Sequence, residues 1–308
     1  MRRLIRNSPI FSAVALFAVC VLPAAASVQG SFQRTYQVSG PVDLEALTRS
    51  GDIILRSGSA GTVSISGKIH VGDRWFSGDR MDAVKALEKN PPIQQNGNSI
   101  RIDYVNERNM AIDYEITVPA ETTVRTHSGS GDQTIEGLHG NETLESGSGD
   151  MRLSGLTGNI ELRTGSGDVR AHDISGPFSA EAGSGDIQLD EKGSGDVRVH
   201  TGSGNIELRG VNGALDVQAG SGDVTAEGNQ TGGWEIKTGS GNVDVRLPAN
   251  ASFDLQASTS SGSVVVDQPV TMTVQGNLEH AHRSVEGKVR NGGAVLRVHT
   301  GSGDIHIQ

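Results

Sequence analysis

The chain has 308 residues, a formal net charge of -10 at neutral pH, 4% aromatic residues, 42 glycines and a single cysteine. An acidic chain is poorly suited to bind nucleic acid or an anionic membrane surface, and a lone cysteine excludes a disulfide framework. This glycine content would indicate disorder if it were irregular, but the glycines recur at a fixed period, which predicts a repeat architecture.

Residues 1–26 have the features of a secretory signal peptide. Three arginines precede an apolar run from Ile10 to Leu22, and small residues ending at Ala26 follow. The run is too short for a convincing membrane span. A lipoprotein interpretation would place a lipid on Cys20, but bulky Val19 precedes that cysteine and the apolar run continues past it. We expect an exported protein of formal charge -13, located in the periplasm or at the cell surface, because cleavage removes three arginines and no acids.

The segment from Ser31 to Val118 combines strand patterns with one helix pattern. Apolar and polar residues alternate, and Ser50-Gly51-Asp52 is a truncated copy of a turn that recurs later. Residues 79–90 predict a short helix that Pro91-Pro92 ends. We expect this helix to pack on an edge or end of the fold, with docking of a partner as the alternative. Asn96-Gly97 then predicts a turn between strands.

A repeated Gly-Ser-Gly-Asp or Gly-Ser-Gly-Asn turn dominates the region from Ser128 to Asn242. Its acidic or amide positions, 18 or 19 residues apart, are Asp132, Asp150, Asp168, Asp186, Asn205, Asp223 and Asn242. The glycines permit positive φ, and Asp or Asn can bond its own nearby backbone, so the tetrapeptide predicts a turn. An apolar, polar, apolar triplet follows each turn, and a weaker half-repeat lies between turns.

This pattern predicts an all-β fold, a flattened parallel β-solenoid with about two short strands per coil and one short helical insertion. Coils would stack at ~4.8 Å. Stacking at the long period would place Arg198 between Ser179 and Asp216 on one face. We assign residues 27–125 to irregular N-terminal coils with the helical insertion near 79–90. Residues 126–308 are assigned to regular coils with a C-terminal cap segment.

The pattern loosens after Pro248, lapses from Val270 to Gly292 and returns in phase through Ile307. A final in-phase strand would be an exposed edge, open to self-association unless another segment covers it. Residues 270–292 are the candidate cover.

The row of aspartates raises the alternative of a calcium-stabilised repeat. The calcium-binding nonapeptide has a similar period, but here the acid directly follows the second glycine, and an apolar residue occupies the ligand slot. Asn205 and Asn242 replace the acid, which a structural turn tolerates better than a charge-dependent cation site. We therefore favour a structural turn.

Other chemistry is weakly indicated. His280 and His282 could share a face and chelate a metal, but no third ligand is identifiable nearby. Carbohydrate-cleaving β-helices carry carboxylates in a groove, and outward Glu235, Asp244 and Asp254 would imitate that pattern in any solenoid. An envelope polysaccharide-active β-helix enzyme with a carboxylate pair on one face is the alternative. No phosphate-binding or nucleophile-elbow motif accompanies the glycine-rich turns. We assign no catalytic, cofactor-binding or metal-binding residue and predict a protein that is not an enzyme.

Together these segments resemble a bacterial putative-adhesin family of β-strand repeats, a domain of unknown function. The resemblance rests on the repeated turns, the 38–42 and 50–52 segments, 90–93 with 100–102, 113–120, and the closing 301–305. It implies an exported, non-enzymatic envelope or surface protein and brings no catalytic residues. The expected function is a scaffold or adhesin that binds an unknown protein or polysaccharide through its solenoid faces or edge.

Overall fold

The structure, a computed structural model, describes residues 28–72, 78–105, 107, 109–271 and 283–308. The predicted signal peptide, Cys20 and the pair His280 and His282 lie outside the described residues. No helix within the described ranges has the length and apolar character needed to cross a membrane.

Alternating apolar and polar residues form strands through most of the described chain, and its one helix is α1 (Gly78–Lys89). The strands are β1 (Val28–Gln37), β2 (Val42–Ser50), β3 (Ile53–Gly58), β4 (Thr62–Val71), β5 (Ile93–Asn96), β6 (Ser99–Ile102), β7 (Met110–Pro119), β8 (Thr122–Ser130), β9 (Gln133–Glu136), β10 (Glu142–Ser148), β11 (Met151–Ser154), β12 (Ile160–Ser166), β13 (Val169–Ile174), β14 (Phe178–Ser184), β15 (Ile187–Glu191), β16 (Val197–Ser203), β17 (Ile206–Ser221), β18 (Val224–Ser240), β19 (Val243–Arg246), β20 (Phe253–Ser261), β21 (Val264–Val266), β22 (Val270–Thr271), β23 (Ser284–Val289), β24 (Ala294–Ser302) and β25 (Ile305–Ile307). The prediction of an all-β protein with one short helix is confirmed.

The strands build two walls around one core. In stacking order, the first wall contains β5, β6, β2, β8, β10, β12, β14, β16, the second halves of β17 and β18, β24, β20, β23 and β22. The second wall contains β1, β4, β7, β3, β9, β11, β13, β15, the first halves of β17 and β18, β19, β25 and β21. Each coil thus gives one strand to each wall, as in a β-solenoid.

The predicted stacking register is confirmed. Arg198 lies between Ser179 and Asp216 on neighbouring strands of the first wall. Arg152 and Arg170 are register neighbours on the second wall. A constant period keeps apolar residues over apolar residues, and a shift of one residue would turn every core side chain outward.

The sheet is mixed, whereas a purely parallel one was predicted. Antiparallel pairs join β1 to β4, β4 to β7, β5 to β6, and β23 to both β20 and β22. A short connection explains the pair β5 and β6, because a tight hairpin can join only antiparallel strands. The other antiparallel pairs join strands that are separated by longer stretches of sequence. The turn at Asn96-Gly97 joins β5 to β6, as predicted.

The helix packs on β1. Val84 is 1% exposed and faces this strand, whereas Met81 is 38% exposed. Glu88 Oε1 accepts the Ser31 N–H at 2.9 Å, and the Arg34 guanidinium donates to the last carbonyls of the helix at 2.8 Å. The Arg34 bonds provide donors for the last backbone carbonyls of the helix, which have no partner within the helix itself.

The C-terminal strands do not lie at the edge of the stack. β24 pairs with β18 on one side and with β20 on the other, and β25 lies likewise between β19 and β21. The expectation that the final strand ends the stack, and is exposed unless residues 270–292 cover it, is therefore wrong. The described strands of that segment, β22 and β23, extend the wall beyond β20 and do not cover the last strand.

Candidate binding surface

The repeated aspartates and asparagines form a hydrogen-bonded ladder along one corner of the coils. In each coil Oδ1 accepts the backbone N–H of the corresponding residue in the next coil, at 2.8–3.1 Å. The ladder contains Asp52, Asp132, Asp150, Asp168, Asp186, Asn205, Asp223, Asn242 and Asp304, and it ends at the N–H of Ser263. The expected bond within each residue's own turn is thus replaced by a bond between coils, which asparagine can make equally well.

Arginines neutralise part of the ladder. Arg152 donates to the Oδ2 atoms of Asp132 and Asp150 at 2.7 and 2.9 Å, and Arg170 donates to Asp168 at 2.8 Å. Partial burial raises the pKa of Asp132, but the Arg152 bond and the Asp150 N–H outweigh burial and leave that pKa below its ordinary value. Within the described ranges no group of three His, Cys, Asp or Glu side chains could hold a metal ion.

Inward hydroxyls at the same corner support the turns, and sequence reasoning missed them. The side chains of Thr48, Thr201 and Thr238 donate to the carbonyls of Ser50, Ser203 and Ser240. All three threonines are at most 5% exposed. The sequence signal was the Thr or Ser that precedes most of the Gly-Ser-Gly turns, although Ala182 and Ala219 stand there in two of them. Its inward direction follows from the strand alternation.

A groove crosses the first wall at the opposite corner. One side is a row of outward side chains in register, namely Ser179, Arg198, Asp216, Glu235 and Arg297. The other side consists of small or short residues, including Pro177, Ala214 and Gly233, whose side chains rise less above the sheet. The groove encloses about 410 Å³. It runs over the five strands β14, β16, β17, β18 and β24, which corresponds to about 19 Å at the usual strand spacing.

A second groove of about 650 Å³ lies on the same wall beside the turn glycines. Its ionisable lining alternates between bases and acids and consists of His127, Glu145, Arg163, Glu181 and His200. His127 Nδ1 lies 3.0 Å from Glu145, and Arg163 lies 3.2 Å from Glu181. The first wall therefore carries two grooves that run across the strands beside rows of ionisable side chains, and we call this wall the candidate binding surface.

The carboxylates that were candidates for hydrolysis do not share a cleft. Glu235 and Asp254 lie on strands of the first wall, whereas Asp244 lies on β19 in the second wall. Lys237 lies 2.5 Å from Glu235, and this hydrogen bond holds the pKa of Glu235 below its ordinary value. A glycosidase acid instead needs a raised pKa at the site of cleavage.

The raised carboxyl pKa values belong to two residues of the core. Burial raises the pKa of Glu142 to about 8 and that of Glu191 to about 7. Neither oxygen of Glu142 has a partner of good geometry, although its own N–H and that of Gly140 partly offset burial. The Asn212 N–H donates to Glu191 at 3.3 Å. Both side chains lie inside the walls, away from either groove.

The outward histidines lie apart from one another. His200 and His299 project from the first wall, and His299 Nδ1 lies 3.0 Å from the Ser258 hydroxyl. His306 projects from the second wall, 3.0 Å from Asp267. His200 and His299 share one outward row but are three strands apart, and His306 belongs to the other wall, so these three histidines do not form a cluster.

Comparison with known structures gives low identities over most of each chain. A putative adhesin from Bacteroides fragilis NCTC 9343 is 16% identical over 90% of this chain and 97% of that chain, with a TM-score of 0.36. A putative adhesin from Parabacteroides distasonis ATCC 8503 is 9% identical over 91% and 98%, with a TM-score of 0.35. A putative cell adhesion protein from Clostridium sporogenes ATCC 15579 is 12% identical over 90% and 98%, with a TM-score of 0.22.

No functionally curated protein matches the sequence. The model of one family, Toastrack DUF4097, matches residues 43–200 and again residues 89–308. These two matches together include every turn of the Asp and Asn ladder. The chain therefore belongs to the Toastrack DUF4097 family.

Proposed function

We propose that this protein is an exported, non-enzymatic scaffold or adhesin of the cell envelope or surface. It binds a protein or polysaccharide partner through the outward side chains of the first wall. The observation that carries this proposal is the row of register-aligned charged side chains along the 410 Å³ groove, where the Arg198 side chain is 73% exposed.

The chemistry of the surface favours a polar partner. Among the described residues, the large apolar side chains that are exposed are Met81 and Val265, and neither lines the groove. An apolar interface would need a contiguous apolar patch. A row of charges on rigid strands instead presents hydrogen-bond donors and acceptors at fixed spacing, which suits an extended polar ligand.

A binding experiment tests the proposal. Labelled protein is incubated with intact and with protease-treated envelope fractions of the producing cells, and the bound fraction is measured. Arg198→Ala combined with Arg297→Ala should lower binding about tenfold or more, since both exposed cations of the groove are lost. Arg209→Ala combined with Arg246→Ala removes the same charge from the second wall and should leave binding unchanged. Binding that survives the protease indicates a polysaccharide.

Two outcomes contradict the proposal. Equal binding by both double variants would show that the groove is not the binding site. Release of reducing sugar ends from envelope polysaccharide, abolished by Asp216→Asn or Glu235→Gln, would show hydrolysis and support the polysaccharide-active enzyme instead.

A further inference from the structure

One coil occupies a place in the stack that differs from its place in the chain. We call β24 and β25 the inserted coil, and β20 and β21 the outer coil. The outer coil precedes the inserted coil in sequence, yet it lies farther along the stack. The inserted coil fills a slot between the outer coil and the coil of β18 and β19.

The slot binds the inserted coil along both of its sides. Gly241 and Val243 donate their N–H groups to Ser302 and Asp304 at 2.8 and 2.9 Å. On the other side, the N–H groups of Gly303 and Ile305 donate to the outer coil at 2.9 Å. The inward side chains of the inserted coil, Leu296, Val298, Thr300, Ile305 and Ile307, are at most 1% exposed.

The outer coil has the same pattern as the coil that separates it from β18. Trp234 is followed in register by Leu296 and then by Leu255, and Ser240 by Ser302 and then by Ser261. The ladder also continues through both coils, since Asn242 Oδ1 accepts the Asp304 N–H and Asp304 Oδ1 accepts the Ser263 N–H. Two coils of this chain therefore match one surface, and the outer coil could stack on β18 and β19 directly.

We propose that the slot is a strand-exchange site that accepts residues 294–308 of a second copy of this chain. When the inserted coil leaves, the outer coil can cover β18 and β19, so the loss of contacts is partly compensated. The released segment keeps its alternating apolar residues and its turn, and the identical slot of another copy is their best-matched surface. Exchange of identical elements in this way produces dimers without any new interface.

Disulfide trapping between two full-length variants tests the exchange. In a Cys20→Ser background, one variant carries Lys237→Cys and the other carries His299→Cys. These positions are register neighbours on β18 and β24, so their Cα separation suits a disulfide. After mixing, prolonged incubation below the melting temperature and mild oxidation, we expect a covalent dimer, because exchange brings the two cysteines together. Non-reducing electrophoresis and light scattering measure it.

A matched pair controls for collision. Arg163→Cys and Glu181→Cys in separate copies are also register neighbours, on β12 and β14, but they lie away from the slot. We expect at least a fivefold larger dimer yield from the slot pair than from this pair. Both cysteines of the slot pair in one chain should give an intrachain disulfide, which verifies the geometry. Glu235→Cys with Arg297→Cys repeats the test at the other outward position of the same strands.

Absence of the covalent dimer from both slot pairs overturns the proposal. Equal yields from the slot and control pairs overturn it as well, because they would indicate random collision or pairing of strand edges. A slot-specific dimer whose yield rises with protein concentration supports exchange.

Discussion

At the scale of single residues, Glu142 conflicts most clearly with its surroundings. It lies between Val124 and Ile160 in a column of inward side chains and is fully buried. Burial favours the neutral acid, which raises the pKa of Glu142 from 4.5 to about 8. The unfolded chain releases this proton at a lower pH than the folded chain does. Stability is therefore lost as pH rises from about 4.5 toward about 8.

Glu142→Gln should stabilise the protein at neutral and alkaline pH. Glutamine keeps nearly the same shape and cannot ionise, so the variant should gain roughly 2–3 kcal/mol relative to the wild type between pH 5 and pH 8. Urea unfolding at several pH values measures the difference. Glu227→Gln changes an exposed carboxyl and serves as the control. A Glu142→Gln variant with the same pH dependence as wild type would show that the buried carboxyl is not the cause.

At the scale of the repeated element, the two turn glycines have different roles. The second glycine has positive φ in most turns, for example +136° at Gly204. The first lies against the neighbouring coil, and a Cβ at Gly202 would be 2.6 Å from the Gly183 carbonyl oxygen. The prediction that both glycines supply positive φ is therefore correct only for the second. Close stacking of backbones explains why the first must also be glycine.

Gly204→Ala should destabilise the protein by about 2–4 kcal/mol, because it combines an unfavourable φ with a clash against the backbone of the preceding coil. Ser203→Ala, in the same turn but with an exposed side chain, should change stability by less than about 0.5 kcal/mol. The urea midpoints of both variants give the comparison. Equal midpoints would contradict a steric requirement at Gly204.

The ladder makes a separate prediction at Asp223, whose Oδ1 accepts the Asn242 N–H at 2.8 Å. Asp223→Asn retains that acceptor and should change stability by less than about 0.5 kcal/mol. Asp223→Ala removes an exposed hydrogen bond and should cost about 0.5–1.5 kcal/mol. Thermal melts of both variants measure which substitution lowers the stability more. If asparagine proves as damaging as alanine, the charge of Asp223 matters more than its hydrogen bond.

At the scale of the whole molecule, the aspartate row is part of the covalent chain's own hydrogen-bonding system. Every Oδ1 of the ladder accepts a backbone N–H, and arginines bind Oδ2 of Asp132, Asp150 and Asp168. Stacked carboxylates repel one another by about 1 kcal/mol per neighbour at high dielectric, and the arginines and asparagines reduce that repulsion. The arginines and asparagines of the chain itself therefore reduce the electrostatic repulsion along the acidic corner.

Addition of millimolar Ca²⁺ should change the melting temperature by less than about 2 °C relative to a chelator, because the ladder oxygens already have donors. Circular dichroism at a β-sheet wavelength provides the melt. Mg²⁺ at equal concentration controls for screening by divalent ions. A rise above about 5 °C with Ca²⁺ alone would establish the calcium-stabilised repeat.

The repeat period by itself determined the strand alternation and the register of Arg198 with Asp216. The residue pattern before Pro91-Pro92 determined the short helix, because a helix depends on local spacing. The sequence could not show that each Asp or Asn Oδ1 accepts a hydrogen bond from the next coil. A hydrogen bond within the turn and one between coils require the same residue types. Grooves across the first wall likewise depend on the relative heights of side chains from separate coils.

The order of the last coils was decided by tertiary structure. Residues 253–266 and 294–307 have equivalent patterns, so from the sequence alone either segment could pair with β18 and β19. The antiparallel pairs of β23 with β20 and β22 are also long-range contacts without a local signal. A periodic sequence specifies how coils match one another, and only packing of the complete chain decides which coil lies next to which.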